Sequence, residues 1–476
     1  MQIHSVILLS LVAFAQATSV IVLGAGASGI FAAKQLKAAG IDVTILEARP
    51  DAIGGRMHKV EFPPKSGRFV ELGANWIEGL GSNITNPVLP LVQKWGVNFK
   101  PTDFTNTTYR SASGSFDQSV FQDRLAAFSA ITEMTSELSD KRMAADALDI
   151  SLRAGYRMAG WYPKDEIDYA IEWNTFDYEQ AETPDDFIMD KPAEFGCGYG
   201  SNCLKLNKTV SEIRWAVGND GVSALDLPVS RQSPVKVTCK DGSVYTADYV
   251  ISSFSLGVLQ NVDVKFAPTL PDWKIQSIHS FHMAAYTKIF ISFPSKFWTD
   301  NTEFIWYGAT RRGEFTNWQV FDAAPYKEYF KGEHVLLCTV TDQVAFRIER
   351  QSDEQTKAEL VQVLKNMYGP KVPNASAILV PRWNSDPLFR GSFTNWPIGM
   401  IKEEFDNLVA PINRLWFTGE HTSLEYFGYV HGAILAGTKT GDDVVKCIKN
   451  GCPKYPYHPV IHNAHGTTKF GKGERQ

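Results

Sequence analysis

A chain of 476 residues is too long for one hydrophobic core and points to two domains of ordinary size. Its 44% hydrophobic and 21% charged residues are those of a globular protein. A net charge of −5 without a basic stripe leaves no electrostatic case for a nucleic-acid partner, while letting a cationic ligand approach without penalty.

The first residues do not belong to the fold. Val6 to Phe14 is an apolar run interrupted only by Ser10, and Ala15-Gln16-Ala17 has the small-x-small form of a secretory cleavage site. Residues 1–17 therefore read as a signal peptide, although His4 stands where a Lys or Arg is usual. A buried strand is expected at Ser19-Val-Ile-Val-Leu23, followed by Gly24-x-Gly26-x-x-Gly29 and a helix from Ser28 toward Ala39. Val43-Thr-Ile-Leu46 reads as a second buried strand ending at Glu47. Further on, Val235–Cys239 and Ser243–Ile251 flank Lys240-Asp241-Gly242 as a hairpin. Ser352 and Gln355 form a capping box for a helix to Met367, with Leu360, Val363, Leu364 and Met367 on its apolar face and Gly369-Pro370 as its stop. A strand at Leu415–Thr418 runs into Gly419-Glu420, and a Gly- and Ala-rich helix follows from about Gly428 to Ile448. Residues 453–476 read as a disordered tail.

Other features bear on compartment. No further apolar stretch approaches the roughly 18 residues of a membrane span, so a secreted, extracellular protein without a membrane anchor is expected. Asn83, Asn106, Asn207 and Asn374 open Asn-x-Ser/Thr sequons, which predict a glycoprotein. Cys447 with Cys452, and Cys197 with Cys203, are spaced to close small disulfide loops. Neither pair has the spacing and His company of a zinc site, so no metal is expected. Cys239 and Cys338 read as buried thiols.

The strand–glycine–helix–strand run carries a specific chemistry. Gly24 permits a tight turn, Gly26 lets backbone N–H groups approach a pyrophosphate, and Gly29 lets the helix pack on the strand. The helix N-terminus supplies positive potential to the phosphates. Glu47, 23 positions past Gly24, is placed for the adenosine ribose hydroxyls, and its charge rejects the extra phosphate of NADP. Gly54-Gly55-Arg56 follows at once. An Arg there can reach a pyrophosphate, and the glycine pair followed by Arg resembles the one flavin oxidases carry; that resemblance implies FAD rather than NAD.

With these residues in view, the chain resembles the flavin amine oxidase family, and within it the secreted plant-type polyamine oxidases. The resemblance rests on Val20–Gly29 with Gly54-Gly-Arg-Met-His58, and on Glu71-Leu-Gly-Ala-Asn-Trp-Ile-Glu-Gly79. It continues through Phe176-Asp-Tyr-Glu179, Tyr286-Thr-Lys-Ile-Phe290 and Phe393-Thr-Asn-Trp-Pro397. Phe417-Thr-Gly-Glu-His-Thr422 and Gly428-Tyr-Val-His-Gly432 complete it. It implies an α/β fold: a Rossmann-type FAD-binding domain (18–80, 191–265 and 401–452) with a discontinuous α+β substrate-binding domain (81–190 and 266–400).

The resemblance also implies roles. Gly24, Ala25, Gly26, Ser28, Gly29, Glu47, Ala48, Gly55 and Arg56 would hold FAD non-covalently, with Val210 at the adenine and Glu420 near the ribityl and pyrophosphate. Trp396 and Tyr429 would wall the flavin and the substrate pocket. Lys288 matches a lysine that holds a water beside flavin N5. Glu78 and Glu179 match acidic residues of a substrate tunnel, and Tyr178 and Tyr286 its aromatic neighbours. Carboxylates separated by aromatic faces suit a long polycation. The implied reaction is hydride transfer from an amine α-carbon to flavin N5, giving an aminoaldehyde, a smaller amine and, through O₂, H₂O₂.

Two stretches depart from the family. Between Phe195 and Leu204 the chain has Gly-Cys-Gly-Tyr-Gly-Ser-Asn-Cys where a helix of the FAD-binding domain is usual, and Trp215 to Ser233 is longer than expected. Glu425-Tyr-Phe-Gly-Tyr429 lacks the Cys that would attach a flavin covalently. A monomer is expected. Two other readings stay open: an oxidase of another amine or of L-amino acids, whose carboxylate would need an Arg, and a secreted FAD-fold protein without turnover.

Overall fold

The computed structural model describes residues 18–78, 86–97, 99–112, 114, 115, 117–145, 147–181, 203–215 and 234–452. The leader, the sequon at Asn83, Cys197, the tail and both departures from the family pattern (apart from their edges) lie outside the described residues.

A parallel five-stranded sheet organises the chain's ends. Its order is Leu415–Phe417, Tyr249–Ser252, Ser19–Leu23, Asp42–Leu46, Leu204–Lys205. The near-continuous apolar run Val20–Leu23 makes Ser19–Leu23 central, since a parallel sheet is covered on both faces. On one face lie the helices Ala27–Ala38 and Val430–Asn450. They cross with backbones nearly touching: a Cβ on Gly437 would meet the Ser28 carbonyl oxygen at 2.1 Å, and one on Gly441 the Ala32 oxygen at 2.8 Å. The other face is filled by Ile21, Leu23, Val250 and Leu415 against Val235–Cys239 and the helix Asp272–His279.

The expected hairpin forms, with one correction. Val235–Cys239 pairs antiparallel with Val244–Ala247, and the chain then turns into Tyr249–Ser252, which joins the parallel sheet instead. What reads as one strand over 243–251 is therefore two. Asp248 marks the break; its carboxylate accepts the Ser19 N–H at 2.9 Å.

A seven-stranded sheet forms the second body, in the order Ala377–Leu379, Tyr286–Phe293, His334–Thr341, Asn317–Val320, Phe304–Gly308, Thr107–Ser111, Gly114–Ser115. Tyr286–Phe293 and His334–Thr341 pair over eight residues, and Trp318, Ile289, Leu336 and Leu360 fill the core beneath. The capped helix runs Asp353–Tyr368 with the Ser352–Gln355 box formed. Cys447 and Cys452 are disulfide-bonded; Cys239 and Cys338 are buried thiols. Among the described residues no helix is long and apolar enough to cross a membrane, and no cluster could hold a metal ion.

The glycine turn sets the tightest demand on the fold. Gly24 has φ +99°, and a Cβ on Gly29 would lie 2.1 Å from the Gly24 carbonyl oxygen and 3.2 Å from Val22 Cγ1. Gly29→Ala is expected to cost about 1–3 kcal/mol of stability through overpacking, read as a lower denaturation midpoint; an unchanged midpoint contradicts this packing.

Candidate active site

One continuous cavity of about 580 Å³ runs from the glycine turn into the space between the two sheets. At its first end the helix Ala27–Ala38 opens on Gly26 with no side-chain cap, which leaves its first N–H groups for a ligand. A Cβ on Gly26 would meet nothing within 4 Å, so the cradle has room along the backbone. Gly24, Gly26, Ser28, Glu47, Ala48, Gly55, Arg56 and Val210 all line the cavity. Buried Glu47 accepts the Ala25 N–H at 2.7 Å and the Arg49 N–H at 2.9 Å, which fixes its carboxylate at the cavity edge. Room at Gly26, open N–H groups and a fixed acid suit a dinucleotide.

Arg56 and Glu420 lock this end. Arg56 Nη1 donates to Glu420 Oε1 at 2.8 Å and to the Ser392 carbonyl oxygen at 2.9 Å. Glu420 also accepts from Thr394 Oγ1 at 2.9 Å and the Gly428 N–H at 2.8 Å. Burial alone would raise its proton affinity; Arg56 and the Gly428 N–H hold the carboxyl below its ordinary range.

The second end is aromatic and acidic. Tyr178 and Tyr286 have ring centroids 6.0 Å apart, with Trp76 6.4 Å from Tyr178 and Phe393 5.8 Å from Tyr286. Tyr429 donates its hydroxyl to Glu179 Oε1 at 2.8 Å, and Glu78 lies on the same wall. Burial and the nearby Glu179 raise the Tyr429 phenol far above its usual range, so it stays a donor.

Lys288 sits between the two ends. Strand alternation turns it, with Tyr286, toward the cavity. Its ammonium donates to the Gly73 carbonyl oxygen and lies 5.1 Å from the Trp76 ring centre. Burial lowers its pKa to about 7, against the partial support of Glu71. The Glu71 carboxyl is itself raised by burial, offset in part by the His58 and Gly73 N–H groups it accepts at 2.7 and 2.9 Å.

Three expected residues lie elsewhere. Ala25 is fully buried and ties Glu47 to the Gly54 turn, and Gly29 packs beneath the cradle. Trp396 does not line the cavity. Its ring stacks on Phe427, centroids 5.5 Å apart, and packs against Phe405 and Phe281, so Phe427 is the surface presented. Its neighbours explain this: Thr394 bonds Glu420 and Asn395 donates to the Gln180 carbonyl oxygen, which leaves Trp396 to the core behind.

Sequence reasoning missed Ser392 and Thr394 as partners of the ion pair, and the Glu71–Gly73–Lys288 chain. One signal was available: Gly73 falls between a Glu and a Trp in a quoted motif, and a Cβ there would strike the Arg56 carbonyl oxygen at 1.8 Å.

Comparison with known proteins agrees with this geometry. The family model described as flavin containing amine oxidoreductase matches residues 27–186 and 200–445. Polyamine oxidase 1 of Zea mays is 41% identical, covering 92% of each chain. Polyamine oxidase 6 of Oryza sativa subsp. japonica is 40% identical over 94% of each. Among solved structures, a wild-type putrescine oxidase bound to putrescine superposes with a TM-score of 0.65 at 16% identity, covering 90% of this chain and 99% of that one. That likeness bears on the fold, which is the α/β fold of flavin amine oxidases. The chain belongs to the flavin-containing amine oxidoreductase family, and it is a flavin-dependent amine oxidase.

A lysine with a folded pKa near 7 and an unfolded value near 10.5 holds fewer protons when folded between those pH values. Stability conferred at this position therefore rises with pH across that window, and the cost of burial is full below it. The unfolding free energy of wild type relative to Lys288→Met is expected to grow from pH 6 to pH 9; a flat difference contradicts the assigned burial.

Proposed function

We propose that this flavin amine oxidoreductase holds FAD non-covalently and oxidises polyamines such as spermidine and spermine outside the cell. The observation that carries the reading is the second end of the cavity, whose wall combines Glu78 and Glu179 with Trp76, Tyr178 and Tyr286. A polycation needs that combination: carboxylates for distal ammonium groups, aromatic walls for the methylenes and the reacting carbon. The names of the relatives from Zea mays and Oryza sativa point to the same substrate class.

FAD is favoured over other flavins by the dinucleotide cradle at Gly24–Gly29 and Glu47. None of the described lining residues is a cysteine, which favours non-covalent binding. When bound, the flavin accepts two electrons from the amine and returns them to O₂ as H₂O₂. The protein's part is positioning and charge. Glu179, oriented by Tyr429, holds a distal ammonium, and Tyr178 and Tyr286 exclude water around the reacting carbon. Loss of hydride requires the reacting nitrogen to be neutral, and desolvation in the buried part of the cavity favours that form. Lys288 Nζ, its pKa lowered by burial to about 7, is suited to hold a water, take a proton from it as it adds to the iminium, and return that proton to the departing nitrogen, giving an aminoaldehyde and a smaller amine.

An amino-acid substrate is the weaker reading. The arginines among the described lining residues are Arg49 and Arg56, both at the dinucleotide end, bonded to His58 and Glu420. Secretion is supported by the apolar leader, and glycosylation by the exposed sequons at Asn207 and Asn374. We take the protein to act as a monomer.

Purified protein is expected to show flavin absorbance and to release H₂O₂ with spermidine or spermine; flavin-loaded protein without turnover refutes the reading. Glu179→Gln is expected to raise the KM for spermidine about tenfold or more, the worth of a charge-assisted bond.

A further inference from the structure

The segment that delivers Tyr178 and Glu179 to the cavity is not an ordinary helix. Glu166–Glu172 is α-helical, Trp173–Asp177 is a π-turn, and Tyr178–Gln180 closes as a short α-turn. The Tyr178 N–H reaches back five residues to the Trp173 carbonyl oxygen. An extra residue per turn rotates everything after it by about 100° relative to a continuous α-helix. Without that rotation Tyr178 and Glu179 would face away from their present direction. π-Turns are poorer in energy than α-turns and cluster at functional sites, so something must hold this one.

The hairpin between Phe304–Gly308 and Asn317–Val320 grips it at three points. Arg312 donates Nη1 and Nη2 to the two carboxylate oxygens of Asp177 at 2.7 and 2.6 Å, and Nε to Glu172 Oε1 at 3.1 Å. Gly313, at φ +80°, lies against the indole of Trp173, whose Nε1 would be 3.1 Å from a Cβ there. Asn317 donates to Asn174 Oδ1 at 2.8 Å. Asp177 and Glu172 are almost fully buried, and Glu172 also accepts from Arg153 at 2.9 Å and the Trp161 indole at 3.0 Å. Burial opposes the Arg312 charge, but Asp177 and Glu172 outweigh it and the guanidinium stays ionised. Arg312 lies outside the set of residues lining the cavity.

We propose that Arg312 is a positioning residue for amine binding, its fork on Asp177 and Glu172 holding the π-turn that aims Glu179 and Tyr178 at the substrate. This rests on the polyamine reading, because Glu179 must bind an ammonium for its aim to matter. Only a planar fork spans both carboxylates, so a lysine is not equivalent.

The test is steady-state kinetics of the flavin-loaded enzyme with spermidine, for Arg312→Ala, Arg312→Lys, Glu179→Gln and the double variants. Arg312→Ala is expected to raise KM tenfold or more with kcat within about threefold and the flavin spectrum unchanged. Arg312→Lys is expected to fall between it and wild type. In the Glu179→Gln background either Arg312 change is expected to move KM less than twofold. If Arg312→Ala does not fold, Arg312→Lys carries the comparison alone. An unchanged KM in Arg312→Lys, or an equal KM effect with and without Glu179, overturns the proposal. A wild type that releases no H₂O₂ from any polyamine refutes the polyamine reading itself, and is told apart from a working wild type indifferent to Arg312.

Discussion

The ion pair of half-buried Arg56 and buried Glu420 is the contact on which the rest of the site depends. It joins three distant parts of the chain: the turn after strand Asp42–Leu46, the turn after strand Leu415–Phe417, and the segment Ser392–Thr394 that borders the aromatic end. Removing Arg56 strands the buried Glu420 carboxylate in a low dielectric, which costs far more than a surface pair is worth. The pair is affordable because every oxygen of Glu420 is satisfied, by Arg56, Thr394 and the Gly428 N–H. The glycine-turn end of the cavity and its aromatic end are set by the same few bonds.

From that hub the electrostatic logic runs outward in two directions. Toward the glycine turn the protein offers backbone N–H groups and one fixed acid, Glu47, which suits phosphates and a ribose. Toward the second sheet it offers carboxylates among aromatic rings, which suits a chain of ammonium groups. Lys288 lies between them, its charge weakened by burial and its ammonium tied to the Gly73 carbonyl. Gly73 also packs directly against the Arg56 carbonyl oxygen, so the lysine and the ion pair share one support.

Local patterning made much of this legible. The alternation of Tyr286 and Lys288, the capping box at Ser352 and the glycine spacing at Gly24–Gly29 are rules of period and turn that a sequence states directly. The glycine turn was readable because its positions play backbone roles, fixed by which of them must be glycine. Long-range partners were not readable: nothing local links Arg56 to Ser392 or Arg312 to Asp177, which are separated by 336 and 135 positions. Trp396 shows the other limit. An aromatic residue beside a proline is equally suited to a pocket wall and to the layer behind it, and here Phe427 takes the wall. The π-turn was likewise hidden, since no propensity marks where one residue too many enters a helix.

The most direct test of the account is the affinity for FAD of protein stripped of its cofactor, measured by flavin fluorescence for wild type and Glu420→Gln. The ion-pair account predicts a dissociation constant raised at least about tenfold, roughly the worth of one hydrogen bond to a charged group, with the unfolding midpoint of the stripped protein lowered as well. A variant that binds FAD as tightly as wild type would contradict it.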